Sequence, residues 1–160
     1  MEKIKNQIEK NPEMAKFTEK LRVTLQGKYK SHVKIGKHEL YMDVPESMGG
    51  EDSGYPPTEL LLASIAGCEL GLCYSEAKRM NLSIEKVSMV ISGMLDIRGF
   101  MGLADVPVGF QTIDIKLKIK SPEPTEKIDM LIEHVHKKCP VINTIKTPPE
   151  LKLSLKHIKS

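Results

Sequence analysis

The chain has 160 residues with 24 basic and 21 acidic side chains, giving a formal net charge of +3. That is room for one domain with a real core, or for a core completed by a second copy, and it would be a squeeze for two. The basic residues are dispersed, and with no Trp, four Tyr and three Phe there is little to stack bases on, which argues against nucleic acid as the main partner.

Charges recur every two or three positions from residue 2 to about 20, unlike a secretory signal. No later stretch offers eighteen uninterrupted apolar residues, so no membrane span is expected and the location should be cytoplasmic. Three cysteines there would be reactive, metal-binding or plain core residues, not a disulfide framework.

Residues 2 to about 20 read as a polar helical segment, broken near Asn11-Pro12. From Leu21 the pattern alternates, with Leu21, Val23 and Leu25, then Val33 and Ile35, then Leu40, Met42 and Val44, which predicts three strands. Gly36-Lys37 is placed for a tight hairpin turn and Gly27 for the turn before it. Residues 45 to 57 carry glycines and prolines without apolar period and read as a loop. The stretch from Thr58 to Leu82 is too long for a strand, and its first half is apolar or small on nearly every side. It predicts a central helix of about six turns, buried all round in that half.

Alternation returns with Val87, Met89, Ile91, Leu95 and Ile97, and again with Ile113, Ile115, Leu117 and Ile119 opposite Asp114, Lys116, Lys118 and Lys120. Two strands around a Gly-rich bend at residues 99 to 109 are expected. Ser121-Pro122 has the form of an N-cap followed by proline, and Ile128, Leu131, Ile132 and Val135 mark one face of an amphipathic helix. Leu151, Leu153 and Leu155 predict a last strand. The order is strands, buried helix, strands, helix, strand, which is α+β with a mostly antiparallel sheet wrapped around a long central helix. One sheet covers one face of that helix; the other should meet the second helix or a second subunit.

By position, Cys68 sits among Leu61, Ile65 and Leu72 on a packed helix face, where most free cysteines are small hydrophobes. Cys139 admits two readings. With Pro140 opening a short helix, its thiol would lie at a helix N-terminus, with His136, Lys137 and Lys138 adding positive charge; alternatively it is a C-terminal cap beside a solvated basic run. Cys73, about 140° round the helix from Cys68, reads as core. His134 and His136 point to different sides of a helix and no C-x-x-C occurs, so a zinc site would need unrelated loops to converge.

Two segments together resemble the OsmC/Ohr superfamily. The first runs from Gly54 through Tyr-Pro-Pro-Thr-Glu-Leu-Leu-Leu-Ala-Ser-Ile-Ala-Gly to Cys68, and the second is Lys138-Cys139-Pro140-Val-Ile-Asn143-Thr-Ile. The Met48-Gly-Gly loop matches too. The resemblance covers roughly residues 21–160 as an OsmC-like domain, leaving 1–20 as an accessory segment. It implies an intertwined homodimer with two sites at the subunit interface and no bound cofactor. It also implies a thiol peroxidase in which Cys68 attacks an organic hydroperoxide and Cys139 resolves the product as a disulfide, which an external dithiol reduces.

Peroxidases of the family carry a glutamate ten residues before the first cysteine and an arginine near the turn after the first strand. Here those places hold Thr58 and Lys28, with Lys30 also near the turn, and Glu59 is nine before, about 180° round a regular helix. Thr58, Glu59 and Lys28 are thus the candidates for the supporting role. The alternative implied is an OsmC-fold protein with little turnover that binds an apolar small molecule at the dimer interface.

Overall fold

The computed structural model describes residues 2–159 and begins with helix α1 (Glu2–Lys10). Asn11 stops it, and Pro12 opens a single 3-10 turn, Pro12–Ala15, at the break expected from the proline. Strands β1 (Arg22–Leu25), β2 (Ser31–Ile35) and β3 (His38–Met42) form the expected antiparallel meander, with Val23 opposite Val33 and Val33 opposite Leu40. Gly36, at φ +58°, makes the tight turn between β2 and β3, a conformation glycine enters without the usual steric cost.

The loop after β3 is held by one buried carboxylate. Asp43, 2% exposed, accepts from the backbone N–H groups of Val44, Glu51 and Ser53 and from Ser53 Oγ. The Ser53 N–H is the largest influence on its acidity; burial opposes, but the four bonds together hold the carboxyl at about 2. Gly50 closes the same loop so tightly that a Cβ there would collide with the Val44 carbonyl. These elements form one compact unit, which ends at Pro57.

The second unit starts at Thr58. Helix α2 (Pro57–Arg79) has proline at its first position, needing no N–H there, and ends at Asn81, whose φ of +55° lets the Leu82 N–H return to the Ala77 carbonyl. Strands β4 (Lys86–Met94) and β5 (Thr112–Lys120) pair antiparallel, with Ile91 opposite Ile115, and alternate regularly between a half-buried and an exposed face. Between them lies α3 (Ile97–Phe100), and after them come α4 (Thr125–Lys138) and α5 (Pro140–Lys146).

Two core clusters result. One joins Cys73 and Ala77 of α2 to Leu131 and Val135 of α4, with Val87 and Ile119 of the hairpin packed on it. The other joins Ile65 of α2 to Cys139 and Ile142, covered by Ile91, Ile113 and Ile115. Full burial of a side chain such as Leu131, which is 0% exposed, stabilises by about 1.5–3 kcal/mol. Helix α2 is long and apolar enough by composition to cross a membrane, yet its Glu69 and Glu76 are buried against partners on α4, as in a core helix.

Four local expectations are corrected. The first half of α2 is not buried all round: Leu61, Ser64, Gly67 and Gly71 are exposed, because the core residues of its own unit gather on the opposite face around Ile65 and Cys73. Alternation stops at Met94, and Ile97 opens α3 instead, since Asp96 caps a helical turn by accepting from the Arg98 N–H at 3.0 Å. Helix α4 starts at Thr125 and not after Ser121, whose hydroxyl donates to the Ser83 carbonyl and accepts from the Glu123 N–H. The final strand is absent: residues 147–159 form no element, and Leu151, Leu153 and Leu155 are 91%, 98% and 90% exposed. Alternation alone makes no strand without an edge to pair with.

Candidate functional site

Cys139 stands where α4 hands over to α5. Its backbone N–H still donates to the Val135 carbonyl, closing α4, and its Sγ accepts from the Ile142 N–H at 3.5 Å, opening α5. Both cap positions read from the sequence therefore hold at once, the end of one helix and the start of the next. The motif asparagine staples the junction, since Asn143 Nδ2 donates to the Lys137 and Cys139 carbonyls at 3.1 and 2.8 Å, two acceptors left over at the end of α4.

Cys68, half-buried on α2, packs against the cluster of Ile65, Cys139 and Ile142, and its thiol is close enough to influence that of Cys139. The thiols of residues 71 positions apart are thus neighbours, one fully buried at 0% exposure and the other open to an approaching molecule. Cys73 is in the other cluster, as expected of a core residue.

The electrostatics differ from expectation. A helix start should favour the Cys139 thiolate, and the N–H groups of Ile142 and Val141 do pull that way. Burial is the larger influence, reinforced by Cys68, and the thiol is pushed up from its ordinary value. The basic run is also largely engaged: His136 Nδ1 lies 3.0 Å from Glu69 Oε1, and Lys138 Nζ donates to Glu76 Oε1 at 2.9 Å. Burial pushes Glu76 upward, but the bonds from Lys138 and Arg79 outweigh it and hold the carboxyl below its ordinary range.

Glu69 and Glu76, 5% and 4% exposed, are the site-flanking residues that the sequence reading passed over. A signal for them existed. They are seven residues apart on one face of an apolar helix, and a buried carboxylate requires a partner.

Two of the supporting candidates, Thr58 and Glu59, are not gathered at the thiols. Thr58 and Glu59 are exposed in the first turn of α2, roughly 15 Å of helix rise before Cys68, and the unbroken helix keeps them there. Lys28, exposed in the turn between β1 and β2, belongs to the first unit, where it lines a small cleft with Tyr29, Asp43 and Glu51. Nearby, Lys30 Nζ stands 5.0 Å from the centre of the Tyr41 ring. Among the described residues no group of three or more His, Cys, Asp or Glu side chains is placed to hold a metal ion.

Residues 50–154 match the family described as OsmC-like protein. Two proteins named hydroperoxide reductase are similar in sequence. That of Mycoplasma pneumoniae is 29% identical over 105 residues, covering 64% of this chain and 70% of that protein. That of Mycoplasma genitalium is 26% identical over 107 residues, covering 66% and 72%. Among solved structures, the OsmC-like protein from Mycoplasma pneumoniae aligns with a TM-score of 0.71 at 22% identity, over 82% of this chain and 89% of the other. An organic hydroperoxide resistance protein OsmC from Legionella pneumophila aligns with a TM-score of 0.63 at 24% identity, over 82% and 93%.

Proposed function

The chain belongs to the OsmC-like protein family, and on that premise we propose that it is a thiol-dependent peroxidase that reduces organic hydroperoxides through Cys68 and Cys139. One observation carries the reading: two free thiols from distant parts of the chain share one apolar cluster, Cys139 fully buried in it and Cys68 only partly buried. The names of the two mycoplasma relatives support peroxide as the substrate class.

In the proposed cycle the Cys68 thiolate attacks the hydroperoxide O–O bond. Sulfur is oxidised to a sulfenic acid, and the leaving alkoxide takes up a proton as the alcohol. The Cys139 sulfur then bonds to Cys68 Sγ, the S–OH bond breaks, and hydroxide leaves as water with the Cys139 thiol proton. An external dithiol returns both thiols to the reduced state. The apolar side chains of Ile65, Ile91, Ile113 and Ile115 around the pair suit a bulky organic peroxide. The exposed stripe on α2 and the unpaired Leu151, Leu153 and Leu155 support a homodimer as the working form.

Intact mass before and after one equivalent of cumene hydroperoxide tests the chemistry. Loss of two hydrogens with a Cys68–Cys139 cross-linked peptide is expected; no change, with Cys68→Ser behaving like the parent, defeats it. A second reading, a protein of this fold that binds an apolar small molecule with little turnover, is favoured by Thr58 and Lys28 standing where glutamate and arginine would activate the thiol. A co-purified apolar ligand together with no disulfide would select it. Light scattering during gel filtration checks the dimer.

A further inference from the structure

We propose that Glu69 and His136 are positioning residues that hold Cys139 in register with Cys68 for the disulfide-forming step. The inference rests on the thiol-pair reading above and adds to it. Glu69 is the residue next to Cys68 on α2, and His136 lies one helical turn before Cys139 on α4. Their 3.0 Å contact therefore joins the two backbones that carry the thiols, at the points nearest them. Cys139 remains on the α4 ladder through its bond to the Val135 carbonyl at 3.0 Å, so whatever fixes the last turn of α4 fixes the sulfur.

A second tie, Lys138 to Glu76 with Arg79 on the same carboxylate at 2.7 Å, lies two turns further along α2. Two attachment points stop α4 from pivoting where one would not. Buried ionic and polar pairs add little net stability against apolar packing, and their best attested effect is on which arrangement is adopted. Here the arrangement is the approach of one thiol to another, and attack on a sulfenic sulfur demands close, aligned contact.

The experiment separates two rates in one turnover with a single equivalent of cumene hydroperoxide: appearance of the Cys68 sulfenic acid, trapped with dimedone, and appearance of the disulfide, read by intact mass. In Glu69→Gln the disulfide step is expected to slow about tenfold or more, while sulfenic acid formation falls far less. Excess peroxide should then drive Cys68 to the sulfinic acid in the variant before the parent. His136→Gln, at a ring 40% exposed whose replacement leaves the core clusters intact, should reproduce the split. His136→Lys, which keeps a donor on Glu69, should recover part of the rate.

Parental disulfide rates in folded Glu69→Gln and His136→Gln overturn the proposal, as does an equal fall of both steps. If the parent protein itself forms sulfenic acid at Cys68 but no disulfide with Cys139, the two-thiol reading has failed, and the positioning role falls with it.

Discussion

Two neighbourhoods on helix α2 each bury a cysteine, and they differ in what faces the sulfur. Cys73, 1% exposed, is packed by Ala77, Leu131 and Val135 with the Glu69 carboxylate near it; burial first, and that charge second, push its thiol up. Cys139, 0% exposed, is also pushed up by burial, but it meets two backbone N–H donors and a second thiol. Burial and a raised pKa therefore do not separate a packing cysteine from the one proposed to react. The separating feature is a partner: a sulfur with a thiol beside it can complete a two-electron cycle, and a sulfur among methyl groups cannot.

The sharpest way to break this comparison is to remove the accessible member of the pair. Cys68→Ser should lower hydroperoxide consumption by about 100-fold or more in a dithiol-coupled assay, since no other thiol is placed to take over. If Cys73 sustained the activity, the two neighbourhoods would have been assigned the wrong way round. On the packing side, Leu131→Ala empties the centre of the Cys73 cluster and should cost about 2–5 kcal/mol in urea denaturation. Cys73→Ser, which buries a hydroxyl among apolar groups, should cost about 1–3 kcal/mol while disulfide formation between Cys68 and Cys139 proceeds as in the parent.

A smaller effect is expected from pH. The Glu76 carboxyl is held below its ordinary 4.5 in the folded protein, so its contribution is present in full above that value and is lost as pH falls below it through the lowered folded value. Lys138→Met should flatten this acid sensitivity, read as the urea midpoint at pH 6 and pH 4, with only a modest change at the higher pH because the lysine is half-exposed.

Much of the local structure was legible. Period-two runs located β1 to β5, and the apolar stretch after two prolines located α2. Cys139-Pro140 announced a helix start that the structure contains. Legibility failed where a pattern needed a distant partner. The Leu151, Leu153 and Leu155 alternation found no strand edge, and Ser121 spent its hydroxyl on Ser83 instead of capping a helix. Lys138 and His136 looked like free positive charge beside a thiol, yet Glu76 and Glu69, more than sixty residues earlier, engage both.

The sequence by itself determined which segments are helix or strand, because spacing along the chain sets which side chains share a face and which backbone groups are capped. It also marked Cys139 as a cap residue. Only the tertiary structure decided that Cys68 shares a packed cluster with Cys139, that burial outweighs the helix start at the Cys139 thiol, and that His136 and Lys138 are already engaged by buried carboxylates. Those outcomes depend on how α2 is rotated against α4 and the hairpin, a choice made by all the packed side chains together and written in no single local spacing.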